Sequence, residues 1–354
     1  GATEAGAPRI APRIAGRFSR GEVGGSFSLS PLPEERSAGE PLAVAARGGA
    51  LRGSLLLPEG APPFPLAIIV SGAGPADRNG NNYNVPGKSD SLKSLALALK
   101  SLGVASYRYD KRGAGEDYLL AGPEEDSRFD DYIGDAAAVF KALESDARFS
   151  RILFVGHTEG ALVAAAAAEK LAAAAGKAPD GLVLLCASGK TAIESVNEAL
   201  ADSPADKKAE AAAIMEALEA GRTYPAPSDY FADFFRPSFQ PYLASWFRYD
   251  LKKEIAAWKG ALLLVQGNRD FQVTMSEFAT LAAARPDAPA LVVQTMNHAL
   301  KDVPADLEEN YASFSDPRFA LAPGLAEAIA AFIRGGAYPA ELKRFDGGVL
   351  PAEG

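Results

Sequence analysis

The sequence predicts an α/β chain with a mostly parallel central sheet, helices on both faces and a helical cap insertion. Three observations carry this. Short apolar runs alternate with longer stretches of helical periodicity from about residue 66 to about residue 336. The runs are continuous in apolar residues, as strands buried on both faces must be. One of them, Arg151-Ile-Leu-Phe-Val155, passes through Gly156 and Gly160 directly into the alanine-rich helical stretch 161–175.

Taken in order, residues 1–40 are rich in Gly, Pro, Ser and Arg and read as a loosely ordered arm with short alternation over 25–30. Two alternating strands follow at 41–47 and 50–57, then a turn-rich break from Pro58 to Pro65. The segment 66–70 is a fully buried strand, 89–102 an amphipathic helix and 104–109 a strand. Residues 129–145 form a helix and 152–155 the next strand. Three more strands are expected at 182–186, 261–265 and 288–294. The alternation lapses between them: 193–200 and 205–220 are helical, and 224–246 is rich in aromatic residues. This assigns 41–189 and 258–336 to the core and 190–257 to a helical cap over the carboxyl ends of the strands. Packing on the side of the core is the competing place for that segment. Residues 337–354 read as a peripheral tail.

Bulk properties bound the function. The chain has 354 residues, 48% of them hydrophobic and 23% charged, enough for a large core. Net charge is −9 with both signs interspersed, so no basic stripe invites nucleic acid. No apolar run approaches the ~20 residues of a membrane span. Cys186 is the single cysteine and sits in an apolar run, which reads as a small buried hydrophobe and excludes an internal disulfide. Two histidines cannot build a His-rich zinc site, and no dinucleotide fingerprint is present, so neither metal nor cofactor is expected. The chain begins at Gly1 rather than methionine, which leaves the compartment open, and nothing reports an oligomeric state.

Strand, Gly156-His157-Thr158-Glu159-Gly160, helix is the pattern of a nucleophile elbow, in which a sharp turn lifts one hydroxyl above the sheet. The two glycines stand where strand and helix pass too closely for a Cβ. Thr158 is therefore the candidate nucleophile. His298, on the loop after the last strand, is the candidate base; His157 lies inside the elbow with its side chain directed away from the nucleophile. Asp270 follows the preceding strand on a Gly-containing loop and is the candidate acid. The order 158, 270, 298 is the order nucleophile, acid, base of α/β-hydrolases. The backbone N–H of Glu159 and of Ala73, in Ser71-Gly-Ala-Gly-Pro75, are the candidate oxyanion donors. A phosphate loop is excluded there, since no Gly-Lys-Ser/Thr follows.

These motifs resemble a bacterial serine carboxylesterase family of the α/β-hydrolase fold, whose members carry Gly-Ser-Gly-Pro-x-Asp-Arg-x-Gly-Asn and Gly-His-Ser-x-Gly. Here the first stands as Gly72-Ala-Gly-Pro-Ala-Asp-Arg-Asn-Gly-Asn81. Further matching stretches are Tyr109-Asp-Lys-Arg-Gly113, Gln240-Pro-Tyr-Leu-Ala-Ser-Trp246, Val265-Gln-Gly267 with Asp270, and Met296-Asn-His-Ala-Leu-Lys301. Gly16-Arg-Phe-Ser-Arg-Gly21 is similar to the end of an extra N-terminal β region that some relatives carry. The resemblance runs from about residue 40 to about residue 335. It implies an esterase of short acyl esters, with thioesterase or amidase side activity, acting on a small-molecule substrate.

Thr158 is the departure, for the family has serine there. An elbow nucleophile sits at strained φ/ψ, and a β-branched residue is worse in that conformation. A displacement of ~1 Å can cost ~100-fold in rate. Two readings stay open: an esterase weakened by threonine, or a silent relative, natural or by Ser-to-Thr change, that binds an acyl or carbonyl ligand. Of the remaining residues, Asp77 and Arg78 are expected to brace the oxyanion loop as an ion pair, with substrate binding by Arg78 as the alternative. Residues 110–115 read as a turn closed by a charge network. Tyr230, Phe231, Phe234, Phe235, Phe239, Tyr242, Trp246 and Phe247 are read as packing of the cap.

Overall fold

A computed structural model describes residues 14–20, 23–29, 39–174, 176–340 and 342–345. The chain divides into two units, Gly1–Ser37 and Ala38–Gly354. In the first, β1 (Ile14–Arg20) and β2 (Val23–Leu29) pair antiparallel, with Ile14 opposite Leu29. The rest of that arm lies outside the described residues.

The second unit holds a nine-stranded sheet. Its strands are β3 (Glu40–Ala46), β4 (Gly49–Leu56), β5 (Phe64–Val70), β6 (Ala105–Tyr109), β7 (Phe149–His157), β8 (Gly181–Leu185), β9 (Ala261–Gly267), β10 (Ala290–Val293) and β11 (Lys343–Arg344). They lie in the order β11-β10-β9-β8-β7-β5-β6-β4-β3. From β6 through β10 all pairs are parallel; β3, β4 and β11 join antiparallel at the edges. The sequence reading ended the sheet one strand early. β11 is two residues long, Lys343 and Arg344, and too short and polar to leave a periodic signal.

The helices are α1 (Ser91–Ser101), α2 (Phe129–Leu143), α3 (Glu159–Ala173), α4 (Ala192–Ala199), α5 (Ala205–Glu219), α6 (Gln240–Trp246), α7 (Leu251–Ala257), α8 (Met275–Ala284), α9 (Leu307–Ala312) and α10 (Leu325–Arg334). β5 explains why its sequence is apolar throughout. Leu66, Ile68 and Val70 face a cluster with Phe129, Ile133 and Phe140 of α2 and Phe278 of α8. Ala67 and Ile69 point the other way, onto Leu92, Leu95 and Leu99 of α1 and Ile329 of α10. Successive residues of a strand face opposite sides, so a strand covered twice has no polar position. Each fully buried Leu or Ile here contributes about 1.5–3 kcal/mol.

α3 is apolar almost all round: Ala164, Ala165, Ala167 and Ala168 are inaccessible to solvent. Small side chains let it lie close to β7, α2 and α7. Between β8 and β9 the chain inserts α4 to α7. Phe231, Phe235, Tyr242 and Leu243 of this insertion are buried, and Gln240 binds Tyr224 N and O and Phe235 O through its amide. Ser245 Oγ accepts the Phe129 N–H at 2.7 Å, so the insertion caps the start of α2. Because the strands run parallel, the carboxyl ends of β5, β6, β7, β9 and β10 lie along one edge of the sheet. No described helix is long and apolar enough to cross a membrane.

Candidate active site

β7 ends at His157, α3 starts at Glu159, and Thr158 makes the turn alone at φ 53°, ψ −119°. The glycines on either side admit no side chain. A Cβ on Gly156 would stand 2.5 Å from Ala161 Cα, and one on Gly160 would stand 2.4 Å from the Val70 carbonyl oxygen. The turn is pinned by Thr158 N–H to Leu185 O at 2.9 Å and by Ala161 N–H to Thr158 O at 3.0 Å. Positive φ at a non-glycine residue stores of order 1–3 kcal/mol. Thr158 Oγ1 accepts the Ala73 N–H at 3.3 Å, and a Cβ on Gly72 would lie only 2.3 Å from that oxygen. Among the described residues the hydroxyl makes no hydrogen bond to His298.

Asp270 and His298 come from the ends of β9 and β10, adjacent parallel strands. His298 Nδ1–H donates to Asp270 Oδ2 at 2.9 Å, leaving Nε2 with its lone pair as the available base. Asp270 Oδ1 accepts the backbone N–H groups of Gln272 (2.8 Å) and Val273 (2.9 Å), and Oδ2 accepts Gln266 Nε2 at 3.1 Å. Burial pushes this carboxyl upward, but the His298 contact and the backbone donors outweigh it and hold it below its ordinary value.

His157, inside the elbow, has its partner on the His298 loop. Its Nε2 lies 2.8 Å from the His298 carbonyl oxygen; a carbonyl only accepts, so Nε2 carries the proton. Burial, with the nearby His298, lowers its pKa to about 4, and the ring stays neutral. Two buried asparagines complete the support of the acid and base. Asn297 Nδ2 donates to Asn310 Oδ1 (2.8 Å) and Ser313 Oγ (2.7 Å), while its Oδ1 accepts Lys301 N–H. Asn310 Nδ2 in turn donates to Arg269 O at 2.8 Å. One side chain thus ties the loop of Asp270 to the loop of His298. The sequence places Asn297 in the matching stretch beside His298 but gives it no role, and Asn310 leaves no signal.

The oxyanion loop follows β5. Asp77 accepts the N–H groups of Asn79 and Asn81, which folds the loop on itself. The expected Asp77–Arg78 ion pair is not formed. Arg78 instead binds Asp110 with Nε (3.0 Å) and Nη2 (2.6 Å), because adjacent residues in this turn project apart. That geometry uses up its fork and removes the substrate-binding alternative. The Glu159 N–H stands at the first position of α3, where no intrahelical acceptor exists and the helix dipole favours an anion.

Two pockets of about 200 Å³ each meet at Ala73 and Thr158. One is lined by Leu162, Ala192, Trp246, Tyr249, Leu251 and Val273, so the insertion forms much of its wall. The other includes His298, Gln272, Asn82, Ala299 and Phe314. Of the aromatic segment, Trp246 and nearby Tyr249 line the first of these two pockets; Phe231, Phe235, Tyr242 and Phe247 are buried in packing. Cys186, at φ 48°, stands near Asp270 and His298, their donor atoms within 4.8 Å of one another. Burial pushes the Cys186 thiol well up from its ordinary value.

The fold has solved counterparts. A proline iminopeptidase from Mycobacterium smegmatis superposes with TM-score 0.51 at 15% identity, over 84% of this chain and 98% of that one. The esterase domain of a Rhodothermus marinus protein superposes with TM-score 0.50 at 16% identity, over 84% and 98%. The chain has the α/β-hydrolase fold. Residues 87–216 match the family model Hydrolase_4, described as serine aminopeptidase, S33. Esterase EstD of Thermotoga maritima is 25% identical over 306 residues, covering 81% of this chain. The match spans 66% of that protein's length, slightly under two thirds. The proteins it is similar to are hydrolases, esterase and peptidase alike.

Proposed function

We propose that this protein is a carboxylic ester hydrolase acting through a Thr158–Asp270–His298 triad and a covalent acyl-enzyme. One observation carries the reading. A hydroxyl at a strained turn, two N–H groups able to hold an oxyanion and a carboxylate-oriented imidazole border two pockets that meet at Ala73 and Thr158, with Glu159 on one and His298 on the other.

In the reaction His298 Nε2 takes the Thr158 proton as Oγ1 attacks the ester carbonyl carbon. The carbonyl π electrons move onto oxygen, where the Ala73 and Glu159 N–H groups stabilise the charge. Collapse expels the alcohol oxygen, which takes the proton from His298. Water then repeats the sequence on the acyl-enzyme, releasing the acid and restoring Thr158. The leaving alcohol must lie beside His298, so its group faces the pocket containing Gln272 and Phe314. The acyl group then faces the apolar pocket under residues 190–257, which act as a cap. A small acyl ester fits that volume.

A second reading rests on the Thr158 hydroxyl itself. It lies against Gly72 and bonds the Ala73 N–H, the position the oxyanion must take. Threonine has restricted χ1 freedom to swing toward His298. A silent relative that binds an acyl or carbonyl ligand in the same cleft accounts for this.

Intact mass after incubation with a fluorophosphonate or a p-nitrophenyl ester separates the two, with the Thr158→Ser variant alongside. An adduct at Thr158 establishes a working threonine nucleophile. An adduct in the serine variant alone, with turnover raised about 100-fold, identifies an intact site blunted by one methyl. No adduct in either overturns the hydrolase reading.

A further inference from the structure

Lys111 belongs to none of the roles above. It follows β6, and its side chain is 8% exposed. Its Nζ donates to Gly72 O at 3.1 Å and to Glu159 Oε1 at 2.5 Å, and lies 4.5 Å from the centroid of the Tyr132 ring. The residues on either side are locked separately: Asp110 by Arg78, and Arg112 by Asp135 at 2.6 Å. The backbone at 111 is therefore fixed, and the ammonium is aimed at one spot.

That spot joins the two halves of the oxyanion hole. The Gly72 carbonyl and the Ala73 N–H belong to one planar trans peptide group and point in opposite directions. A cation on the oxygen fixes the plane and polarises the N–H on its far side, which reaches Thr158 Oγ1. The other contact anchors the side chain of Glu159, whose own N–H is the second donor. It also balances a carboxylate that otherwise sits close to a developing negative charge. Charge-assisted hydrogen bonds are about twice as strong as neutral ones, so both contacts hold geometry well.

We propose that Lys111 is a positioning residue of the oxyanion hole, holding the Gly72 carbonyl and the Glu159 carboxylate so that the Ala73 and Glu159 N–H groups converge. The proposal rests on the ester hydrolase reading for its catalytic meaning, but its geometry is measurable without turnover. A plain buried ion pair is the rival account, since such pairs are often replaceable at little cost.

The test uses the full chain in the Thr158→Ser background with Lys111→Met and with Lys111→Met/Glu159→Gln. The double variant removes the unpaired carboxylate, so a folding defect due to charge alone is relieved. On a p-nitrophenyl ester, kcat should fall about 100-fold in both variants with KM little changed, as for loss of one oxyanion donor. Affinity for a boronic acid, which presents a tetrahedral oxyanion, should fall by a similar factor. Full recovery of kcat in the double variant overturns the proposal in favour of a mere counter-charge. Independently of activity, amide exchange at Ala73 should quicken by tenfold or more in both variants relative to Thr158→Ser. An unchanged Ala73 amide overturns the positioning role even where the serine variant proves inert. An inert serine variant with a perturbed Ala73 amide leaves Lys111 in its role and removes only the hydrolase reading.

Discussion

The nucleophile half and the acid–base half of the site are held by different physics. At the ends of β5 and β7, shape dominates: Gly72, Gly156 and Gly160 stand where a Cβ would meet an atom at 2.3 to 2.5 Å. Thr158 is left at positive φ because strand, turn and helix permit no other path. At the ends of β9 and β10, hydrogen bonds dominate, with Asp270, His298, His157, Asn297 and Asn310 in one buried network. Close packing enters there once, at Gly267, where a Cβ would lie 2.1 Å from Met296 O. A sterically built turn tolerates no added atom. A hydrogen-bonded loop fails gradually, one partner at a time.

Perturbing each half tests that difference. The largest effect should come from Gly160→Ala. The new Cβ must push α3 off the Val70 carbonyl, costing at or beyond the upper end of about 1–3 kcal/mol, with loss of activity. Circular dichroism melting checks it, and an unchanged melting temperature contradicts the steric account. In the Thr158→Ser background, Asp270→Asn should lower kcat about 10³- to 10⁴-fold while the fold persists, because the imidazole loses its orienting acceptor. Steady-state kinetics beside a melting curve separates the two contributions.

His157 sharpens the comparison through pH. Its folded pKa, about 4, lies below the ordinary value of 6.5, so below pH 6.5 the unfolded chain binds a proton that the native state refuses. Stability from this group is therefore complete above pH 6.5 and declines as pH falls toward 4, by up to about 3 kcal/mol. Urea midpoints measured at pH 7 and pH 4.5 should differ less in His157→Asn than in the parent; equal slopes would remove His157 as the cause. The smallest effect is expected from Asn310→Ala, which frees the Asp270 loop from the His298 loop. About 1–3 kcal/mol of stability should be lost, with a modest fall in kcat for Thr158→Ser, read by denaturant titration and ester assay.

Much of the fold was legible because periodicity reports burial. β5 reads as uninterrupted apolar residues since both its faces are covered, and α3 reads as alanine since it lies close to its neighbours. Gly156 and Gly160 were legible for the same reason: their backbone environment excludes every other residue. What escaped reading depended on partners distant in the chain. Lys111 looked like part of a turn charge network, yet its contacts are Gly72 and Glu159, which lie 39 and 48 residues away. Arg78 pairs with Asp110 rather than its neighbour Asp77 for the same reason. Asn297 stands in the matching stretch Met296–Lys301 without a role that the sequence could assign, and Asn310 carries no pattern; only the folded loops bring them together. β11 was lost because two paired residues make no period.

The sequence by itself determined the parallel sheet, the elbow and the candidate residues Thr158, Asp270, His298, Ala73 and Glu159, since each follows from local spacing, order along the chain or the steric demand of glycine. Only the tertiary structure decided which cation serves which anion, where the two pockets meet, and where the Thr158 hydroxyl points. Those depend on distances between strand ends, which chain order leaves open and packing resolves.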